Sequence, residues 1–185
     1  MFYYHDFCMS NPPVFAPVQA LGLMSGTSLD GVDVALIETD GEQHIKFIAA
    51  DHMPYPKPLR ATLSAIAQGD VPLNDVLRAE KALTETHVKL VKAFMKKQKC
   101  KADDVAVCGF HGQTIRHLPN QGLTWQLGDA QLLRYAIDIP VVNDFRRLDM
   151  AAGGEGAPLV PLYHKAVLGE VSQPAVVLNL GGVGN

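Results

Sequence analysis

The sequence predicts an α/β fold on a mixed sheet, with an antiparallel meander on one side and crossover-connected parallel strands on the other. Three observations support this. Apolar, alternating segments follow one another closely at Ala20–Met24, Val32–Thr39 and Ile45–Asp51. From Leu59 onward, helical periodicity alternates with short apolar runs. Glycine-bearing or polar loops follow the strand ends at Met24, Cys108 and Val142, where open α/β sheets gather their ligands.

The first two strands flank Ser25-Gly26-Thr27-Ser28-Leu29-Asp30-Gly31, and Asp30-Gly31 closes the turn because glycine accepts positive φ. A turn of small residues leaves its backbone N–H groups uncovered, and converging N–H groups make an anion site. With Asp30 or Asp33 supplying hard oxygen for magnesium, the hairpin suits a phosphate; it also suits an ordinary hairpin with a polar tip. Asp40-Gly41 turns the second strand into the third. Pro54, Pro56 and Pro58 break the sheet before a short helix at Leu59–Gln68. Asn74 is the expected cap of a helix from Asp75 to Gln98, with Val76, Leu77, Leu83, Val88, Val91, Phe94 and Met95 on its apolar face. The lysines near its end suit the negative pole of the helix dipole.

Val105–Cys108 is the next expected strand, running into a small-residue loop at Gly109–Thr114. Leu123–Leu127 reads as a strand or extended edge, Asp129 as the cap of a helix through Ala136, and Pro140–Val142 as a brief strand. A glycine loop spans Ala151–Pro158, followed by a helix at Pro161–Leu168 and an apolar strand at Ala175–Leu180. His111 and Gln113 bring an ionisable group and an amide to the second loop; Asp144, Arg146 and Arg147 bring a carboxylate and two guanidinium groups to the third. Arginine suits a carboxylate or phosphate, and Asp suits sugar hydroxyls. A lone His111 is more often a hydrogen-bonded loop histidine than a catalyst, and Asp144 fits equally well a partner of Arg146 or Arg147 or the cap of a following turn.

At 185 residues, 48% hydrophobic and 19% charged, the chain is globular, and a net charge of −3 gives no reason to expect nucleic acid or an acidic membrane as partner. No apolar run approaches the ~18 residues a membrane helix needs. Three cysteines, Cys8, Cys100 and Cys108, fit free thiols in a reducing compartment, hence the cytoplasm. Cys108, His111 and His117 lack zinc-site spacing. G-x-x-x-x-G-K-[ST] and G-x-S-x-G are both absent, which excludes a Walker-type nucleotide site and the serine-hydrolase elbow.

Three motifs in order, Leu21–Asp33, Gly109–His117 and Asn143–Pro161, closely resemble the bacterial anhydro-N-acetylmuramic acid kinases, and the likeness extends from Ala20 to Asn185. That family belongs to the two-lobed ATPases that include sugar kinases, actin and heat-shock chaperones. The resemblance implies a ribonuclease-H-like lobe of the actin-like ATPase fold. It implies phosphorylation of 1,6-anhydro-N-acetylmuramic acid by ATP with Mg2+, opening of the anhydro bridge by water, and a role in peptidoglycan recycling. Gly26, Thr27, Ser28, Leu29, Asp30, Gly31, Val32 and Asp33 would hold ATP, with Asp30 at the metal; His111, Gln113, Asp144 and Arg146 would face the sugar. The expected partners are ATP and a small amino sugar, without nucleic acid or membrane; a homodimer is open. The domain expectation is a leader at 1–19, a first lobe at 20–172, and the opening strand and turn of a second lobe at 173–185. The family's catalytic aspartate lies in an Asp-x-Gly-Pro-Gly motif expected past Asn185, so the chain reads as an N-terminal fragment, inactive alone. The alternative is a non-catalytic single-lobe domain that binds a sugar or a partner.

Overall fold

The computed structural model describes residues 16–69, 71–169 and 176. Three antiparallel strands open it: β1 (Val18–Ser25), β2 (Gly31–Thr39) and β3 (Ile45–Pro54). Helices α1 (Lys57–Gln68) and α2 (Leu73–Gln98) cross over to β4 (Val107–Leu118), which pairs parallel with β1. Strand β5 (Leu123–Leu127) returns antiparallel to the second half of β4. After α3 (Ala130–Ile137), β6 (Val141–Asn143) pairs parallel with the first half of β4, and α4 (Arg147–Ala151) and α5 (Pro161–Leu168) follow. The sheet order β3-β2-β1-β4-β5, with β6 beside β4, is the expected meander joined to crossover strands.

Alternation along the strands assigns the two faces. Leu21 and Leu23 of β1 and Val32, Val34 and Leu36 of β2 are buried in one core with Leu63, Leu83, Val91 and Phe94 of α1 and α2. The intervening residues Gly22, Met24, Asp33 and Ala35 line an open depression of about 1030 Å³, rimmed by Phe145, Val160 and Tyr163. Period two thus places the helices on one face and the residues lining this depression on the other.

Several expectations are corrected. Strand β1 starts at Val18, two residues inside the expected leader. Asn74 does not cap α2: the helix begins at Leu73 with Pro72 at the cap position and no side-chain cap bond. Leu77 is exposed, while the polar Thr84, Thr86 and His87 lie within the buried face. The expected loop Gly109–Thr114 is the middle of β4. Its glycines reflect close approach within the sheet: at Gly112, φ is +71°, the register beside β1 shifts, and a Cβ would stand 2.6 Å from the Leu127 carbonyl oxygen. In the hairpin, positive φ falls on Leu29 (+55°) and not on Gly31. Gly31 is required for space, because a Cβ there would press on the Met53 carbonyl and come within 2.6 Å of the His52 ring.

Asp129 caps α3 as expected, accepting from Gln131 N and Leu132 N at 2.9 Å each. Helix α5 matches its expected span, Pro161–Leu168. The expected strand Ala175–Leu180, apart from Val176, and the leader up to residue 15 lie outside the described residues.

Candidate active site

The hairpin between β1 and β2 carries the first group of functional candidates. Leu29 N donates to Gly26 O at 3.2 Å, which tightens the turn. Thr27, Ser28 and Asp30 are exposed at the tip, and among the described residues none accepts from the amides of Thr27 and Ser28. The Ser28 hydroxyl donates to Asp30 Oδ1 at 2.8 Å. That bond, with the backbone N–H groups of Asp30 and Gly31, holds the Asp30 carboxyl below the usual carboxylate range. Asp33 points to the open face, where its Oδ1 meets His52 Nδ1 at 2.8 Å. Each of the two carboxylates beside the turn thus has one side-chain partner, Ser28 for Asp30 and His52 for Asp33. Among the described residues there is no cluster of three or more His, Cys, Asp or Glu arranged to hold a metal ion.

Beneath the hairpin lies Gln113, fully buried. Its Nε2 donates to Gly26 O at 3.0 Å and to Thr114 O at 3.3 Å, and its Oε1 accepts from the Tyr55 hydroxyl at 3.3 Å. Burial raises the Tyr55 phenol to about 12, so it remains a donor. Ser25 adds a second tie, from its hydroxyl to Gly112 O at 2.9 Å. Gln113 was expected to face a sugar; in this lobe its amide faces the hairpin backbone.

His111, two residues earlier on β4, is 7% exposed. Its Nδ1 lies 2.8 Å from Gly112 O, so this nitrogen carries the proton and Nε2 is the acceptor. Arg146 donates to that Nε2 from Nε at 3.1 Å and Nη2 at 2.9 Å. Burial and the neighbouring Arg146 charge depress the His111 pKa, which keeps the ring neutral and able to accept. The remaining arm of Arg146 donates to Gly156 O at 2.6 Å, and the Asp149 carboxylate accepts from Gly156 N at 2.7 Å. The peptide groups on both sides of Gly156 are therefore held, at φ +67°.

Asp144, with φ +58°, is exposed and meets Arg147 at 3.3 Å. His111, Asp144 and Arg147 line a polar cleft of about 220 Å³ with Trp125, Gln126 and Asn143. Its floor is built by α2: Glu80 accepts from Gly128 N at 3.1 Å and the Thr84 hydroxyl from Asp129 N at 3.0 Å.

Strand β4 thus links the hairpin, through Gln113, to the β6 loop, through His111 and Arg146. Sequence reasoning passed over Tyr55, Asp149, Trp125 and Gln126. Tyr55 lay hidden among prolines, and Asp149 sat inside a quoted motif with no local sign of its partner seven residues on. Cys100 and Cys108 are free cysteines. No described helix is long and apolar enough to cross a membrane.

Taken together, the described residues form an α/β domain in which one central strand carries a hairpin with open Thr27 and Ser28 amides and a polar cleft. The sequence model of the family Anhydro-N-acetylmuramic acid kinase matches residues 18–185. The chain belongs to this family. It is 52% identical over 166 residues to the Anhydro-N-acetylmuramic acid kinase of Paramagnetospirillum magneticum, covering 90% of this chain and 46% of that protein. The namesake proteins of Zymomonas mobilis and Rhizorhabdus wittichii are 49% and 48% identical, each over 90% of this chain and 48% and 47% of their own lengths. The chain spans about half the length of the curated relatives it matches.

Proposed function

We propose that this chain supplies the phosphate-gripping hairpin and one wall of the sugar site of an ATP-dependent kinase acting on 1,6-anhydro-N-acetylmuramic acid. The γ-phosphoryl group passes from ATP to the 6-oxygen. Water adds at the anomeric carbon as the anhydro bridge opens, giving N-acetylmuramic acid 6-phosphate for peptidoglycan recycling. The supporting observation is the hairpin tip, where the open N–H groups of Thr27 and Ser28 stand beside the ionised Asp30. Phosphoryl transfer needs positioning and charge neutralisation more than covalent help, and such a tip offers both.

Each residue then has a task. Gly26 to Asp33 hold the phosphates, and Gln113 positions the hairpin from below. Asp144 accepts from sugar hydroxyls at the cleft mouth. His111 and Arg146 shape the wall behind it. The hydroxyl and carboxylate oxygens of Ser28 and Asp30 fit magnesium, which would be held at Asp30 and would neutralise phosphate charge there. A reducing cytoplasm, where ATP and free thiols coexist, suits this activity.

The catalytic aspartate and the adenine pocket belong to a second lobe in this scheme. The 185-residue chain alone is then expected to turn over no substrate. Extended through an Asp-x-Gly-Pro-Gly lobe, it is expected to phosphorylate the anhydro sugar with ATP, and Asp30→Ala is expected to abolish turnover. Normal turnover in Asp30→Ala, or phosphorylation by the single lobe, would contradict the scheme.

A further inference from the structure

Two adjacent arginines leave the end of β6, and their surroundings differ. Arg146 is half-buried, with Nε and Nη2 on His111 and Nη1 on Gly156 O. Its donors are committed inside the protein. Arg147 has a side chain 58% exposed, lines the 220 Å³ cleft, and meets only Asp144 Oδ2, at 3.3 Å, among its described partners. Its planar fork therefore keeps donors free to grip an oxyanion bidentately.

The rest of the cleft is suited to a sugar. Trp125, 38% exposed, offers a flat apolar surface at one side. Gln126 donates from Nε2 to Thr124 Oγ1 at 2.8 Å, while its Oε1 is buried with no partner among the described residues. The charges facing the cleft decide the sign of the preference. Asp144 and Glu80 are carboxylates, His111 is kept neutral by burial, and Arg147 is the cation on the cleft wall. Without Arg147 the cleft would repel an acid.

We propose that Arg147, and not Arg146, reads the carboxylate of the sugar acid in this cleft and so selects the acid over its uncharged counterpart. The inference rests on the kinase reading above and names the group that gives it specificity. Arg146 is a positioning residue that fixes His111 and the Gly156 loop.

The test is an NMR titration of the 185-residue chain, following the Trp125 indole N–H. The two probes are 1,6-anhydro-N-acetylmuramic acid and the lactyl-free 1,6-anhydro-N-acetylglucosamine. A charge-assisted contact at a partly open site predicts a preference for the acid of roughly tenfold. Arg147→Gln brings the ratio of dissociation constants to about one or below, Arg147→Lys restores part of it, and Arg146→Gln weakens both sugars alike. A wild-type ratio retained in Arg147→Gln, or lost in Arg146→Gln instead, overturns the assignment while leaving the sugar site standing. No response at Trp125 to either sugar overturns the kinase reading for this cleft, and the assignment with it.

Discussion

Replacing Gln113 by leucine should loosen the β1–β2 hairpin from below. The substitution keeps the bulk of a fully buried side chain and removes its amide. Three hydrogen bonds are lost, to Gly26 O, to Thr114 O and from the Tyr55 hydroxyl. Gly26 and Thr114 are half-buried, so water can replace part of what they lose. Tyr55 is 6% exposed, and its hydroxyl would lose the Gln113 acceptor and keep only the Ser25 hydroxyl beside it. A buried hydroxyl that loses its acceptor costs about 1–2 kcal/mol and each exchanged bond about 1 kcal/mol or less, so the total is about 2–4 kcal/mol. For a domain of this size that corresponds to a melting point lower by roughly 5–12 °C. Tyr55→Phe should cost about 1–2 kcal/mol, and the double variant less than the sum, because both substitutions remove the same bond. Urea unfolding of the four proteins measures the cycle, and amide spectra of Gly26 to Asp30 should broaden or shift in Gln113→Leu. Stability within 0.5 kcal/mol of wild type, or strict additivity in the cycle, would refute the role given to Gln113.

Other perturbations follow from the same contacts. Gly31→Ala places a methyl group against the Met53 carbonyl and the His52 ring, and should destabilise by about 1–3 kcal/mol in denaturant unfolding although φ there is ordinary. His87, buried with its Nδ1 on Leu83 O at 3.0 Å, is held by desolvation at about 4, against an ordinary 6.5. Its folded pKa lies below the unfolded one, so stability is full above pH 6.5 and falls as acid protonates the unfolded chain first. The loss should approach about 3 kcal/mol between pH 6.5 and 4, and His87→Leu should flatten the slope of unfolding free energy with pH. Asp149→Ala frees the Gly156 N–H, and hydrogen exchange there should speed up at least roughly tenfold, for a global cost of about 1 kcal/mol.

Most of the architecture was legible because it rests on local rules. Alternation marked β1 to β3, the Asp129 cap marked α3, and Pro161 opened α5 at its first helical position. The errors arose where tertiary contact decides. Gly109 and Gly112 look like loop residues, yet glycine there lets β4 lie close to Phe145 and β5. Pro72 ends up before α2, so Asn74 falls inside the first turn. At the candidate site, the position of the β1–β2 turn was readable because it is written in consecutive residues. The partnership of His111 with Arg146, 35 residues away, and of Gln113 with Gly26, 87 away, carries no local signature. That distance is why Gln113 read as a sugar contact, and why two neighbouring arginines could not be told apart before their partners were known.

The most direct test of the central claim is a backbone amide titration of this chain with magnesium and a non-hydrolysable ATP analogue. The account predicts that the N–H signals of Thr27 and Ser28 shift first and furthest, and that Asp30→Ala removes the magnesium dependence of those shifts. Nucleotide-induced shifts that bypass the β1–β2 hairpin and fall elsewhere on the lobe would contradict it.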